Sequence, residues 1–142
     1  MIKLILIFAI TGFFMQAQAQ DLKEIDIPMA VTAAFDKSYP TIETVDWIKS
    51  GSNFEAEYKA DTLNRSVTYN STGTLVETNM EILEADLPAT VMEYVNENHK
   101  DNVVSETSEI KDANGIVTYE TKIKGMDLTF DSEGKFVKSV KN

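Results

Sequence analysis

Phe54-Glu55-Ala56-Glu57-Tyr58-Lys59 alternates apolar and charged side chains, and Tyr119-Glu120-Thr121-Lys122-Ile123-Lys124 repeats the pattern 65 residues later. Successive side chains of an extended strand point to opposite sides of a sheet, so each stretch reads as a strand with one face for a core and one for water. Both are followed by a further alternating stretch, Arg65-Ser66-Val67-Thr68-Tyr69 and Met126-Asp127-Leu128-Thr129-Phe130. Those run into the glycine turns Ser71-Thr72-Gly73 and Ser132-Glu133-Gly134, beyond which Leu75-Val76 and Phe136-Val137 open closing strands. A first strand is expected over Thr44 to Lys49 in one half and Val103 to Ile110 in the other.

Upstream of each strand set the apolar spacing becomes helical. Asp26-Ile27-Pro28 leads into Val31, Ala34, Phe35 and Tyr39, while Asp86-Leu87-Pro88 leads into Val91, Tyr94, Val95 and His99. Apolar residues at i, i+3 and i+4 make an amphipathic helix, proline suits its first position, and an upstream Asp favours the positive end of its dipole. Equivalent residues are 60 apart at Pro28 and Pro88 and 61 apart at Gly73 and Gly134, so length differences fall in loops. The mature chain therefore reads as an internal repeat, two tandem α-β-β-β-β modules over residues 20–83 and 84–142.

Short hairpins join the strands, which makes the sheet antiparallel and the fold class α+β. A module this small buries only about 60% of its unfolded surface and is marginal alone. The connecting segment Thr78 to Asp86 carries Met80, Ile82 and Leu83 and lacks Gly and Pro. One continuous sheet with both helices on one face is expected, since edge-to-edge joining covers an exposed strand edge in each module.

The chain opens with Lys3, an apolar stretch from Leu4 to Phe14 and then Gln16-Ala17-Gln18-Ala19-Gln20. That is the pattern of a signal peptide over residues 1–19 with cleavage near Ala19, and the apolar run is shorter than the roughly 20 residues of a membrane span. The expected location is periplasmic or secreted, with no membrane association after cleavage. The 142 residues include no Cys, so no disulfide and no Cys-anchored lipid is available. Loss of Lys3 leaves 12 basic residues against 23 acidic ones, a net charge near −11. Nucleic acid is a poor partner for such a chain.

The stretch Val45-Asp46-Trp47-Ile48-Lys49, then Asn53-Phe54-Glu55-Ala56-Glu57-Tyr58, then Tyr69-Asn70-Ser71-Thr72-Gly73, with Leu87-Pro88 opening the second copy, resembles the PepSY-like proteins, also described as beta-lactamase-inhibitor-like. The resemblance covers the whole mature chain. It implies tandem modules, export and no enzymatic activity, and it brings no biochemical role, partner or cofactor with it. Inhibitors of similar architecture present aromatic side chains on the open sheet face. Alternation here puts Glu55, Glu57, Lys59, Ser66, Thr68, Glu120, Lys122 and Asp127 on that face.

The residue inventory narrows the chemistry. Cysteine catalysis is impossible, and a serine triad would have to use His99, the single histidine, which falls in the last turn of an expected helix. Metal sites of the zinc type draw on several His or Cys ligands, and no metal site or cofactor is expected. Glu55 and Glu57 share a strand face about 7 Å apart, a distance at which a glycosidase pair is conceivable. A catalytic acid needs a pocket that raises its pKa, whereas this face is open and flanked by Lys59. Trp47 reads either as core, the commoner role for tryptophan in a strand, or as a contact. Trp47, Glu55 and Glu57 are the candidate binding residues of a non-enzymatic module that meets a protein partner in the cell envelope. The alternatives are a small carboxylate-dependent hydrolase and an acidic carrier of a ligand or cation.

Overall fold

In the computed structural model of the chain, which describes residues 20–22 and 26–142, the alternating stretches become hydrogen-bonded ladders. The elements are β1 (Gln20–Leu22), α1 (Met29–Ser38), β2 (Asp46–Ser50), β3 (Asn53–Ala60), β4 (Leu63–Asn70), β5 (Leu75–Glu81), α2 (Ala89–Asn98), β6 (Glu106–Asp112), β7 (Val117–Ile123), β8 (Met126–Phe130) and β9 (Phe136–Lys141). The strands form one nine-stranded sheet in chain order, each antiparallel to the next. The leader expected over residues 1–19 lies outside the described residues.

Three details differ from the pattern reading. A short strand precedes the first helix and pairs with β2, Leu22 opposite Trp47, and three residues are too few to show a period. The first strand of each half starts two or three residues later than expected, at Asp46 and Glu106, because the alternation begins before the ladder does. Pro28 and Pro88 stand one place earlier than expected, as N-caps in extended conformation (ψ 134° at both). Their carbonyls accept the first helical bonds, from Val31 N–H at 2.8 Å and Val91 N–H at 2.9 Å.

The ladder register shows why both helices sit on one side. Val67 stands opposite Thr78, Thr78 opposite Lys111 and Lys111 opposite Val117, so a single face runs unbroken from β4 to β7. On that face α1 covers Phe54, Ala56, Val67 and Tyr69 with Val31 and Phe35, and α2 covers Ile123, Leu128 and Phe130 with Val91 and Val95. These are two separate apolar clusters. Between them the same face carries Thr78, Met80, Glu109 and Lys111, which belong to neither cluster.

Strand β5 is shared, closing the first half against β4 and opening the second against β6. Its end is tied to the second half, because Ile82 donates to the Thr107 carbonyl at 3.0 Å and the Thr107 hydroxyl donates to the Ile82 carbonyl at 2.5 Å. The join is thus a strand and a bonded turn. Each half also carries a register shift at one place, Thr68/Tyr69 and Thr129/Phe130, immediately before its glycine turn. Such bulges bend the strand and increase its twist.

Those turns are built alike. Asn70 and Asp131 accept with Oδ1 from the N–H groups two and four residues on, at 2.9–3.0 Å. The turn ends on Gly73 (φ +79°) or Gly134 (φ +77°), where a Cβ would run into the Ala30 carbonyl or the Thr90 hydroxyl of the helix beneath. Glycine is required there by conformation and by closeness together. The turn of the second half is further fixed by Thr90, whose hydroxyl donates to the Glu133 carbonyl at 3.0 Å.

Candidate functional site

The face without helices is the reverse of the one that carries the two cores. Register places Asp46, Ile48, Glu55, Glu57, Ser66, Thr68, Glu77, Asn79 and Glu81 on it in the first half, and Glu106, Ser108, Glu120, Lys122 and Asp127 in the second. Every open-face residue named from alternation is found there. Thr68, Ser108 and Glu120 are nevertheless at most 9% exposed. Each stands on a strand with a paired neighbour on both sides, and the side chains of those neighbours crowd it.

A groove of about 840 Å³ crosses this face and reaches round the sheet to Ile42, Tyr58 and Arg65, which belong to the helix side. It starts under the loop of residues 41–44 that leads from α1 to β2, passes Glu55 and Glu57, and ends at Glu106 and Lys122. Six carboxylates line it (Glu43, Asp46, Glu55, Glu57, Glu81, Glu106) against three cations. Of these cations Lys122 already holds Glu106, at 3.1 and 3.2 Å. Burial works against the charge of Lys122, but the bond to Glu106 and the carboxylates of Glu120 and Asp127 outweigh it and raise the pKa.

Glu120 sits beside that pair on β7, between Ser108 of β6 and Thr129 of β8. Burial pushes its carboxyl up from the ordinary value of 4.5, and Asp127 and Glu106 push the same way against Lys122 and Lys138. Glu77 is raised too, by desolvation first and then by Glu55 and Asp112, but it is largely exposed and water screens it. At the other end of the groove the Tyr58 hydroxyl is pushed up to about 12 by burial and by the adjacent Tyr39.

The candidate residues separate onto two sides of the sheet. Glu55 and Glu57 line the groove, two residues apart on β3. Trp47 lies on the helix side at 7% exposure, packed edge-on against Phe35 with ring centroids 5.5 Å apart. It holds the core together behind the groove. His99 is the C-cap of α2, its N–H donating to the Val95 carbonyl at 2.8 Å, and its ring lies 6.1 Å from that of Tyr94. Among the described residues no group of three or more His, Cys, Asp or Glu is arranged to hold a metal ion, and no helix is long and apolar enough to cross a membrane. Pattern reading missed the burial of Glu120, because alternation gives a side chain's face but not how closely its neighbours crowd it.

A two-helix, nine-stranded meander with one covered and one open face defines a class of small tandem-module proteins. The chain belongs to the beta-lactamase-inhibitor-like, PepSY-like family, whose model matches it twice, over residues 8–77 and 56–138. Both matches include residues 56–77, which hold β4 and the start of the shared strand β5. Among solved structures the chain is similar to one described as a periplasmic protein of Bacteroides eggerthii, with 18% identity, a TM-score of 0.71, and 81% of this chain and 88% of that one covered. It is also similar to one described as a BLIP-like protein of Bacteroides fragilis, with 21% identity, a TM-score of 0.65, and coverage of 82% and 88%. These likenesses show a common fold. No curated protein matches the chain.

Proposed function

We propose that the protein is a non-enzymatic, exported binding module that recognises a protein partner in the cell envelope through the open polar face of its sheet. The observation that carries this reading is the asymmetry of the sheet. Two helices cover one side, while the other presents a broad groove lined by six carboxylates over β2 to β5 and the rim of β6 and β7. A groove of that breadth suits an extended surface better than a small substrate, and it lacks the enclosure a catalytic carboxylic acid depends on. Glu55 and Glu57 are the first-half contacts in this reading, and Trp47 supports them from behind. The family description as inhibitor-like and the likeness to a BLIP-like protein agree with recognition of a protein. Export rests on the leader pattern of residues 1–19 and agrees with the periplasmic description of the similar Bacteroides eggerthii protein. In this reading the working protein begins at Gln20, with modules over 20–83 and 84–142.

The test is site-specific photo-crosslinking in envelope extract, with the reactive residue placed in turn at Ser66 on the open face and at Met29, which is 83% exposed on the helix side. A stoichiometric adduct from Ser66 and none from Met29 is expected. Adducts from Met29 alone would move the interface to the helices, and none from either position would remove the binding reading.

A further inference from the structure

Around the second half of the open face most carboxylates have a partner. Glu81 accepts from the Asn64 N–H at 2.8 Å, Glu106 holds Lys122, and Asp127 accepts from Asn142 Nδ2 at 2.9 Å. Glu120 is more deeply placed than any of these, at 9% exposure, yet it makes no hydrogen bond or ion pair among the described residues. Lys122 and Lys138 attract it through space, but neither comes within ion-pair distance. Its oxygens are not sealed from the face, since they are absent from the fully buried, unpartnered polar side-chain atoms of the described residues, Arg65 Nε and Thr121 Oγ1. A carboxylate taken this far out of water costs free energy unless a cation or donors complete it.

We infer that Glu120 is the anchor for a lysine or arginine side chain of the partner, carried on a basic segment that runs along the acidic groove from the loop of residues 41–44 toward β7. This rests on the reading that the open face binds a protein, and it assigns that partner's chemistry. Charge complementarity sets the sign. The groove has twice as many carboxylates as cations, and one cation is already committed to Glu106. Glu120 stands next to the end of the groove, beside Lys122 on the same strand face. A partner cation there would sit between Ser108 and Thr129 and satisfy a buried charge on this face that is left unbonded among the described residues. Exposed rim carboxylates such as Glu57 would steer the segment in without fixing it.

The experiment uses the chain from Gln20 to Asn142 and a fluorescent decalysine peptide, with decaglutamate as the charge control, read by fluorescence polarisation at low and at physiological salt. Decalysine should bind and decaglutamate should not. Glu120→Gln should weaken binding by about tenfold or more, the scale for truncating one side of a buried charge pair. Glu133→Gln, which removes the same charge from the turn seated on α2, should change it less than about twofold. Thr129→Lys is the second variant, because it keeps the carboxylate and offers it a cation from within the chain. It too should block the peptide.

Equal weakening by Glu120→Gln and Glu133→Gln would reduce the effect to net charge and overturn the proposal. So would binding of calcium at Glu120 with no binding of decalysine, which would make the site a metal site. If photo-crosslinks from Ser66 persist while decalysine fails to bind, the protein-binding reading stands and this one falls.

Discussion

The two halves of the sheet share a backbone and fill it differently. In the first, Phe35 is the centre of an aromatic cluster, 5.0 Å from Tyr39, 5.5 Å from Trp47 and 5.7 Å from Tyr58 between ring centroids. In the second, the same helix position holds Val95, and the bulk has moved one residue back to Tyr94. That ring stacks on Phe136 at 4.5 Å and 6° and meets Phe130 edge-on at 5.6 Å. Opposite the helix, Trp47 and its partner Ala56 become Thr107 and its partner Thr121. The volume lost where Trp47 becomes Thr107 is thus made up at Thr121, on the helix and on β9. Interiors close to crystal density demand such exchanges, which is why the repeat survives as a pattern and not as identical residues.

The largest effect should come from breaking the first cluster. Phe35→Ala is expected to cost about 3–5 kcal/mol in denaturant unfolding of the chain from Gln20, whereas Val95→Ala at the equivalent place should cost about 2 kcal/mol. Equal costs would mean that the two cores are not organised around different helix positions.

Next in size is the contrast among glycine turns. Gly73 and Gly134 combine positive φ with direct contact on a helix, while Gly115 has φ +81° and nothing within 4 Å of where its Cβ would lie. Gly73→Ala and Gly134→Ala should each cost about 2–3 kcal/mol, and Gly115→Ala about 1 kcal/mol, the strain term alone. If all three lose the same stability, docking of the turns on α1 and α2 contributes nothing.

Much of this architecture is legible from the chain. Alternation in Phe54 to Lys59 and Tyr119 to Ile123 assigns each side chain to the right face, and the proline, helix, strand and glycine-turn order marks the two copies. The expectation of one sheet with both helices on one face holds, and it came from the marginal size of each half and the apolar residues of the joining segment. That segment turns out to be the end of β5 and a bonded turn, with Leu83 60% exposed. The rest depends on contacts far apart in the chain. β1 is too short to show a period, and Trp47 is committed to the core only because Phe35 lies over it. The burial of Ser108 and Glu120 comes from neighbouring strands and side chains, which no local pattern records.

The cores also differ in polarity. Thr121 occupies the place of Ala56, is fully buried, and its hydroxyl has no hydrogen-bond partner among the described residues. Thr121→Val keeps the shape and removes the orphaned group, so the variant should be more stable by about 1–2 kcal/mol in the same unfolding assay. Thr107→Val should go the other way by a similar amount, because its hydroxyl bonds to the Ile82 carbonyl and so ties β5 to the second half. A gain from both substitutions would show that the Thr107 bond does not hold the join.

The smallest effect compares the open faces. Glu55 and Glu120 are equivalent residues, one half-buried and the other buried. In the folded chain burial, and after it Asp127 and Glu106, hold the Glu120 carboxyl above its ordinary value of 4.5. Between the unfolded and folded pKa values the folded state therefore binds more protons than the unfolded one. Stability falls as pH rises through that window and stays reduced above it. Glu120→Gln removes this penalty, so at pH 7 the variant should be the more stable by up to about 1 kcal/mol, and the difference should shrink toward zero as the pH drops below the ordinary carboxylate range. Glu55→Gln makes the same change in net charge at a wetter site and should stay within about 0.5 kcal/mol of the parent at every pH. Thermal unfolding of the three proteins from mildly acidic to neutral pH decides the matter. A parallel gain from both substitutions would trace the effect to relief of the overall negative charge, whereas a gain confined to Glu120 and lost in acid locates it in one buried carboxylate.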